Sequence, residues 1–215
     1  MKACILLNGK ENLYFLKEEI KKEKYDYIIC ADGGANFLYK IGIIPNYIIG
    51  DLDSISLKAI EYFKKEGVEF KKFPTRKDET DTQLCIHLAK ELDVLELDLL
   101  GALGGRIDHT IANINLMYYI KNLGINPVLK TENEYVYILN NESLDLLGTK
   151  GDTISILPIK GDAIGITLKG LEYPLDNATI KFGNPIGVSN VMKDNLCNID
   201  VKNGTLLIIR NIKPV

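Results

Sequence analysis

Residues 25–42, YDYIICADGGANFLYKIG, and residues 47–55, YIIGDLDSI, decide the fold class. The first stretch predicts an apolar strand, a Gly-Gly turn and a helix, and the second begins a new apolar strand. A strand, a helix and another strand in this order are the unit from which parallel sheets are built. The second strand ends at Gly50 and is followed by Asp51 and Asp53, two carboxylates that repel each other unless a cation offsets their charge.

Strands and helices continue to alternate up to about residue 125. Residues 56–67, SLKAIEYFKKEG, predict an amphipathic helix, and Thr80 with Gln83 fits a capping box at the start of the next one. A later helix carries one apolar stripe, made of Ile107, Ile111, Ile114 and Tyr118. This alternation predicts a three-layer α/β domain with a mostly parallel sheet.

The pattern changes near residue 140. From Ser143 onward no helical period appears, and short strands such as 152–158, DTISILP, alternate with turn residues. That spacing predicts an antiparallel β-sandwich. We therefore predict an α/β domain over residues 1–140, followed by a β-sandwich domain over residues 141–215.

Composition excludes several classes of protein. The 215 residues are 46% hydrophobic and 26% charged with a formal net charge of -3, so the chain lacks the basic signature of nucleic-acid binding. Met1 and Lys2 lead into a short apolar run with no signal peptide, and no stretch is long enough to span a membrane. The four cysteines form no CxxC pair, which favours a reduced, cytoplasmic protein.

Acidic residues and glycines follow four of the predicted strands. In an open parallel sheet these strand ends meet at one edge, where ligands bind. Each motif alone is explained better as a turn or a helix cap, but four of them at one edge favour a ligand site. The residues are Asp32, Gly33 and Gly34, then Asp51 and Asp53, then Thr80 and Asp81, and finally Gly105, Arg106, Asp108 and His109.

The chemistry that these residues favour is a hard cation held by carboxylates beside glycine turns that approach a phosphate. Arg106 and Lys77 could neutralise charge on a transferring phosphoryl group, although both also fit solvated charges in polar loops. Taken alone, the residues predict Mg²⁺-dependent chemistry on a phosphate ester.

Five motifs together resemble the thiamine pyrophosphokinase family. They are ADGGAN at 31–36, GDLDSI at 50–55, DETDTQ at 78–83, GALGGRIDHTIANI at 101–114 and GVSN at 187–190. The resemblance implies an α/β domain that binds ATP and Mg²⁺ and a β-sandwich that binds thiamine. It also implies a homodimer with active sites at the subunit interface, and transfer of pyrophosphate from ATP to the thiamine hydroxyl, giving thiamine diphosphate and AMP.

The resemblance also implies roles for individual residues. The metal ligands would be Asp51, Asp53 and Asp81, and these three act in catalysis together with Arg106 and Asp108. Our own hypothesis for the mechanism adds that Asp81 or Asp108 accepts the hydroxyl proton. Substrate or ATP would be bound by Asp32, Gly33, Gly34, Lys77, Thr80, Gly105, His109, Ser189 and Asn190.

The chain departs from the family at two points. Some members have Gln near position 77, where this chain has Lys77, and some stack a Trp on thiamine, whereas this chain has no Trp. We expect His87, which lies in the apolar run LCIHLA, to be a packing residue.

Two alternative functions stay open. The acidic edge would also suit a metal-dependent phosphatase or nucleotide hydrolase, and it would suit a non-catalytic module that binds nucleotide or thiamine. The strand in residues 204–212, GTLLIIRNI, fits either a shared subunit surface or the core of its own domain.

Overall fold

The computed structural model describes residues 1–73, 79–104 and 106–212, and the chain forms two compact units, residues 1–132 and 133–215. The predicted boundary at residue 140 is therefore too late. The strand Glu134–Asn140 pairs along its whole length with Thr205–Asn211, so it belongs to the second unit. Sequence alone could not reveal this, because the partner strand lies far along the chain.

The first unit is an α/β domain. Its elements are β1 Lys2–Leu6, α1 Leu13–Lys22, β2 Tyr27–Ala31, α2 Ala35–Ile41, β3 Tyr47–Gly50, α3 Leu57–Lys65, β4 Glu69–Lys72, α4 Asp81–Glu91, β5 Glu96–Leu100, α5 Ile107–Asn122 and β6 Asn126–Lys130. The strands lie in the order β6-β5-β1-β2-β3-β4, and every neighbouring pair is parallel. The predicted parallel sheet is confirmed.

Helices cover the sheet in two layers. Leu16 of α1, Leu38 of α2 and Phe63 of α3 pack in one buried cluster with alternate strand residues such as Leu6. Helix α4 packs against β1, β2 and β3, and α5 packs against β6, outside that cluster. The three-layer prediction is confirmed. Among the described helices, none is long and apolar enough to cross a bilayer.

Helix α5 buries a different stripe from the predicted one. Ile107 and Ile111 are 76% and 53% exposed, whereas Met117 and Ile120 are fully buried. The buried positions fall in the last two turns of the helix, and the helix packs against β6. The first half of α5 therefore presents apolar side chains on the surface of this unit.

The second unit is an antiparallel sandwich, as predicted. Its strands are β7 Glu134–Asn140, β8 Ser143–Leu147, β9 Thr153–Pro158, β10 Ala163–Lys169, β11 Leu175–Ile180, β12 Asn190–Val191, β13 Leu196–Asn203 and β14 Thr205–Asn211. Within this unit β12-β9-β14-β7 form one set of neighbours, and β11-β10-β13-β8 form the other sheet. Leu206 and Ile208 of β14 are fully buried in the unit's own core, so the strand packs there, and its use as a shared subunit surface stays a prediction.

A buried group of charges ties α1 to the sheet in the first unit. The Lys130 ammonium lies 2.8 Å from Glu19 and 2.8 Å from Asp98, and all three side chains are at least nine-tenths buried. The Tyr25 hydroxyl donates a further hydrogen bond to Asp98. Burial alone would lower the pKa of Lys130, but the carboxylates of Asp98 and Glu19 raise it above its ordinary value, so the lysine stays charged.

Removing Lys130 should therefore destabilise the protein strongly. We expect Lys130→Ala to lower the free energy of unfolding by about 3–5 kcal/mol, because it leaves buried carboxylates uncompensated. Lys22→Ala is the matched control, since Lys22 also pairs with Glu19 but is 68% exposed, and it should cost about 0.5 kcal/mol or less. Urea unfolding at neutral pH measures both values, and equal losses would contradict a structural role for the buried group.

Candidate active site

A cavity of about 1390 Å³ opens at the carboxyl ends of the strands in the first unit. Among the predicted site residues, those that line it are Asp32, Gly33, Asp51, Thr80, Asp81, Arg106, Asp108 and His109. All four acidic or glycine-rich motifs thus converge at this edge, as parallel topology requires. Lys77 and Gly105 lie outside the described residues, and Ser189 and Asn190 lie in the second unit.

Three carboxylates form the most concentrated charge at this edge. Asp32, Asp51 and Asp53 each place an oxygen within 4.8 Å of the others. The backbone bends sharply to allow this, because Leu52 has a φ of 70° and Asp32 a φ of 38°. The Asp53 amide donates to an Asp51 carboxylate oxygen at 3.2 Å, which closes the turn. Left-handed backbone at such residues costs free energy, and it is typical of functional sites.

Gly50 makes room for this cluster. Its φ is 149°, and a β-carbon at this position would lie 2.9 Å from the β-carbon of Asp32. A larger residue would therefore push Asp32 away from the loop that follows β3. The glycine that ends the apolar run before Asp51 thus allows two strand ends to approach each other.

The environment of Asp32 fits a bound cation. Its Oδ1 atom is buried and has no hydrogen-bond partner among the described residues. Burial raises the pKa of its carboxyl group, and the charges of Asp51, Asp81 and Asp53 raise it further. Hard cations such as Mg²⁺ take carboxylate oxygens as ligands and offset these costs.

The group of three close carboxylates differs by one member from the predicted ligand set. Asp32, which was expected to bind substrate, joins Asp51 and Asp53 in it, and both sets stay predictions. Asp81 lines the same cavity and acts electrostatically on Asp32, but it lies outside that group. Sequence reasoning missed this because Asp32 is nineteen positions before Asp51 and reaches it only through the pairing of β2 with β3.

Arg106 and Asp108 form an exposed pair at the start of α5. The Arg106 Nε donates to Asp108 at 3.1 Å, and Nη2 donates to the second carboxylate oxygen at 2.5 Å. This pairing lowers the pKa of Asp108 to about 2. The amide of His109 also donates to Asp108, at 2.9 Å. Asp108 is therefore a weak base while Arg106 is bound to it.

Helix caps do not explain the paired carboxylates. Ser56 caps α3, its hydroxyl accepting from the amide of Ala59 at 3.3 Å, so capping by Asp51 or Asp53 is wrong. The predicted capping box of Thr80 and Gln83 is confirmed at α4. Asp81 begins that helix, which places its carboxylate at the cavity.

His87 is not the packing residue that we expected. Its Nδ1 lies 3.2 Å from Glu79, its Nε2 lies 2.9 Å from the Tyr119 hydroxyl, and its side chain is 38% exposed. Glu79 and Tyr119 both line the cavity. The neighbours of His87 in the sequence are apolar and buried, and they led us to predict that His87 is buried as well.

Gly34 packs tightly and does not line the cavity. A β-carbon on Gly34 would lie 2.7 Å from the carbonyl oxygen of Leu6, so this glycine allows the turn after β2 to pack on the end of β1. Its expected contact with substrate stays a prediction.

In the second unit, Asn190 is buried and bonded to the backbone. Its amide group donates to the carbonyl oxygen of Tyr173 at 2.7 Å, and its oxygen accepts from the amide of Tyr173 at 3.0 Å. The ring of Tyr173 is 68% exposed. Ser189 is exposed, and its amide donates to Ser155. Contact of Ser189 or Asn190 with substrate stays a prediction.

Two family models match the chain. "Thiamin pyrophosphokinase, catalytic domain" matches residues 19–129, and "Thiamin pyrophosphokinase, vitamin B1 binding domain" matches residues 136–206. The first match ends three residues before the end of the first unit, and the second lies within the second unit.

Named relatives agree with these matches. Thiamine pyrophosphokinase of Bacillus subtilis is 29% identical over 184 residues, covering 85% of this chain and 86% of its own. Thiamine pyrophosphokinase 1 of Oryza sativa is 29% identical over 196 residues, covering 80% and 74%. The crystal structure of the Bacillus subtilis protein superposes with a TM-score of 0.89, at 25% identity over all of both chains. Thiamin pyrophosphokinase from Candida albicans shares the fold, with a TM-score of 0.84 at 21% identity, over 99% of this chain and 89% of that one.

The carboxylate cluster should respond to a divalent cation. We expect Mg²⁺ to raise the melting temperature of the wild-type protein and to leave that of Asp51→Asn nearly unchanged. Without Mg²⁺ the variant should melt at the same temperature or higher, because it loses like-charge repulsion while keeping an oxygen that can accept from Asp53.

Glu61→Gln is the control, since it removes the same charge from an exposed position on α3. Differential scanning fluorimetry with and without MgCl₂ makes the comparison. An unchanged response to Mg²⁺ in Asp51→Asn, or a variant that fails to fold, would show that the carboxylates are structural.

Proposed function

This chain belongs to the thiamine pyrophosphokinase family, and we propose that it transfers pyrophosphate from ATP to the hydroxyl group of thiamine, giving thiamine diphosphate and AMP. The observation that carries the proposal is the match of both units to the two domains of the family. The acidic cavity of the first unit supports it, because it offers the carboxylates that a metal–nucleotide complex requires.

We propose that Asp32, Asp51 and Asp53 hold Mg²⁺, and that Asp81 acts beside them. A bound Mg²⁺ would neutralise charge on the phosphates of ATP. The protein holds the three carboxylates in place through its backbone. The bend at Leu52 fixes Asp51 and Asp53, and the absence of a side chain at Gly50 lets Asp32 lie close to them. Catalysis then rests mainly on holding the two substrates in line, since this class of transfer needs little covalent help.

We propose that Arg106 stabilises the group that is transferred. It lines the cavity and is 71% exposed, so its guanidinium can exchange Asp108 for phosphate oxygens. Asp81 and Asp108 are the two candidate proton acceptors. While Arg106 is bound to Asp108 it lowers the pKa of that carboxyl group to about 2, so Asp108 would act as a base only after Arg106 has exchanged it for phosphate oxygens.

The two alternatives find less support. A metal-dependent phosphatase or a nucleotide hydrolase would need no domain for vitamin B1, yet residues 136–206 match one. A non-catalytic binding module would need no catalytic domain, yet residues 19–129 match one.

We also propose that the protein is a homodimer that binds thiamine where its subunits meet. The first half of α5 supports this, because Ile107 and Ile111 expose apolar surface that association would remove from water. A cytoplasmic location is a further proposal, supported by four buried cysteines and testable by cell fractionation.

The reaction is tested by phosphorus NMR of ATP, Mg²⁺ and thiamine incubated with the protein. We expect AMP and thiamine diphosphate to appear together in equal amounts, and no AMP when thiamine is left out. ADP or free phosphate with thiamine unchanged would contradict the proposal and favour the hydrolase. Nucleotide binding without any turnover would favour the binding module.

The dimer is tested by light scattering over a series of dilutions. We expect a species of twice the chain mass of 24.1 kDa, because burial of the α5 surface favours association. A mass that stays at 24.1 kDa at every concentration would exclude the dimer.

A further inference from the structure

Lys10 lies in the wall of the cavity, in the segment between β1 and α1. Its backbone is held close to the loop after β5, where the amide of Gly9 donates to the carbonyl oxygen of Gly101 at 2.8 Å. A β-carbon on Gly104 would lie 3.1 Å from the β-carbon of Lys10. The β-carbon of Lys10 therefore lies against the glycine-containing loop that leads to Arg106.

Close backbone packing fixes this position. A β-carbon on Gly9 would lie 2.3 Å from the carbonyl oxygen of Gly101, and one on Gly101 would lie 2.5 Å from that of Leu7. The two segments thus approach each other as only glycines allow. The Lys10 backbone consequently lies beside the loop that follows β5, while its side chain is exposed.

Acidic side chains outnumber basic ones among the described residues that line the cavity. The carboxylates that line it are Asp32, Asp51, Glu79, Asp81 and Asp108, whereas Lys10 and Arg106 are the lysine and arginine that line it among the described residues. Arg106 is already bound to Asp108 through two hydrogen bonds. Lys10 makes no hydrogen bond or ion pair within the described part of the chain. A polyanion that enters the cavity would meet the Lys10 ammonium as an available cation.

We propose that Lys10 binds the phosphates of the nucleotide substrate. The proposal rests on the proposed function for the identity of that nucleotide. A lysine ammonium is a flexible point charge that suits phosphate oxygens, and the absence of a side chain at Gly104 leaves space beside its stem. Lys10 and Arg106 would then both contact the phosphate chain, in the same cavity as the carboxylates that we propose hold the metal.

The test is equilibrium binding of α,β-methylene-ATP with Mg²⁺, measured by titration calorimetry. We expect Lys10→Ala to raise the dissociation constant by about tenfold, the usual effect of losing a hydrogen bond to a charged group. Lys10→Arg should keep most of the affinity, because it retains the charge. Lys90→Ala, which removes an exposed lysine from the last turn of α4, should leave the affinity unchanged.

Adenosine, which has no phosphates, separates a direct contact from a structural effect. We expect Lys10→Ala to bind adenosine as the wild type does. An unchanged affinity for α,β-methylene-ATP, or an equal loss for adenosine and the analogue, would overturn the proposal.

Binding is measured without turnover, so this result is separable from the reaction itself. If the wild type fails to form AMP and thiamine diphosphate while Lys10→Ala still loses phosphate-dependent affinity, the proposed function fails and the Lys10 contact stands. If the products form and the affinity is unchanged, the Lys10 contact alone fails.

Discussion

The mutual repulsion of three carboxylates is the constraint on which the candidate site depends. Asp32, Asp51 and Asp53 lie closer together than their charges favour, and an oxygen of Asp32 is buried without a hydrogen-bond partner among the described residues. The chain holds them there with left-handed backbone at Asp32 and Leu52 and with a glycine that leaves space at Gly50. Such strain is maintained only when the surrounding fold fixes it, and here the parallel pairing of β2 with β3 does so.

The first unit deals with buried charge in two ways. Beside α1, the ammonium of Lys130 compensates Glu19 and Asp98 directly, and the result is a satisfied structural group. At the strand ends, by contrast, burial and then the neighbouring carboxylates raise the pKa of Asp32, and this favours an external cation. The difference separates a group of charges that stabilises the fold from the cluster that we propose holds a metal ion.

Local patterns in the sequence predicted most of the fold, and long-range pairing accounts for what they missed. The capping box at Thr80 and the alternation of strands and helices depend on neighbouring residues, so the sequence reveals them. The domain boundary depended on pairing between β7 and β14, which no local pattern shows. Asp32 joined the carboxylate cluster for the same reason. His87 was missed because its partners, Glu79 and Tyr119, come from outside its helix.

The measurement that tests the central claim most directly is anomalous X-ray scattering from crystals grown with Mn²⁺ and a non-hydrolysable ATP analogue. Mn²⁺ accepts the same carboxylate ligands as Mg²⁺ and can be located by its own signal. We predict an anomalous peak within coordination distance of Asp32, Asp51 and Asp53, with the phosphates of the analogue bound to the same ion. A nucleotide bound elsewhere, or an ion held by other residues, would contradict this account of the site.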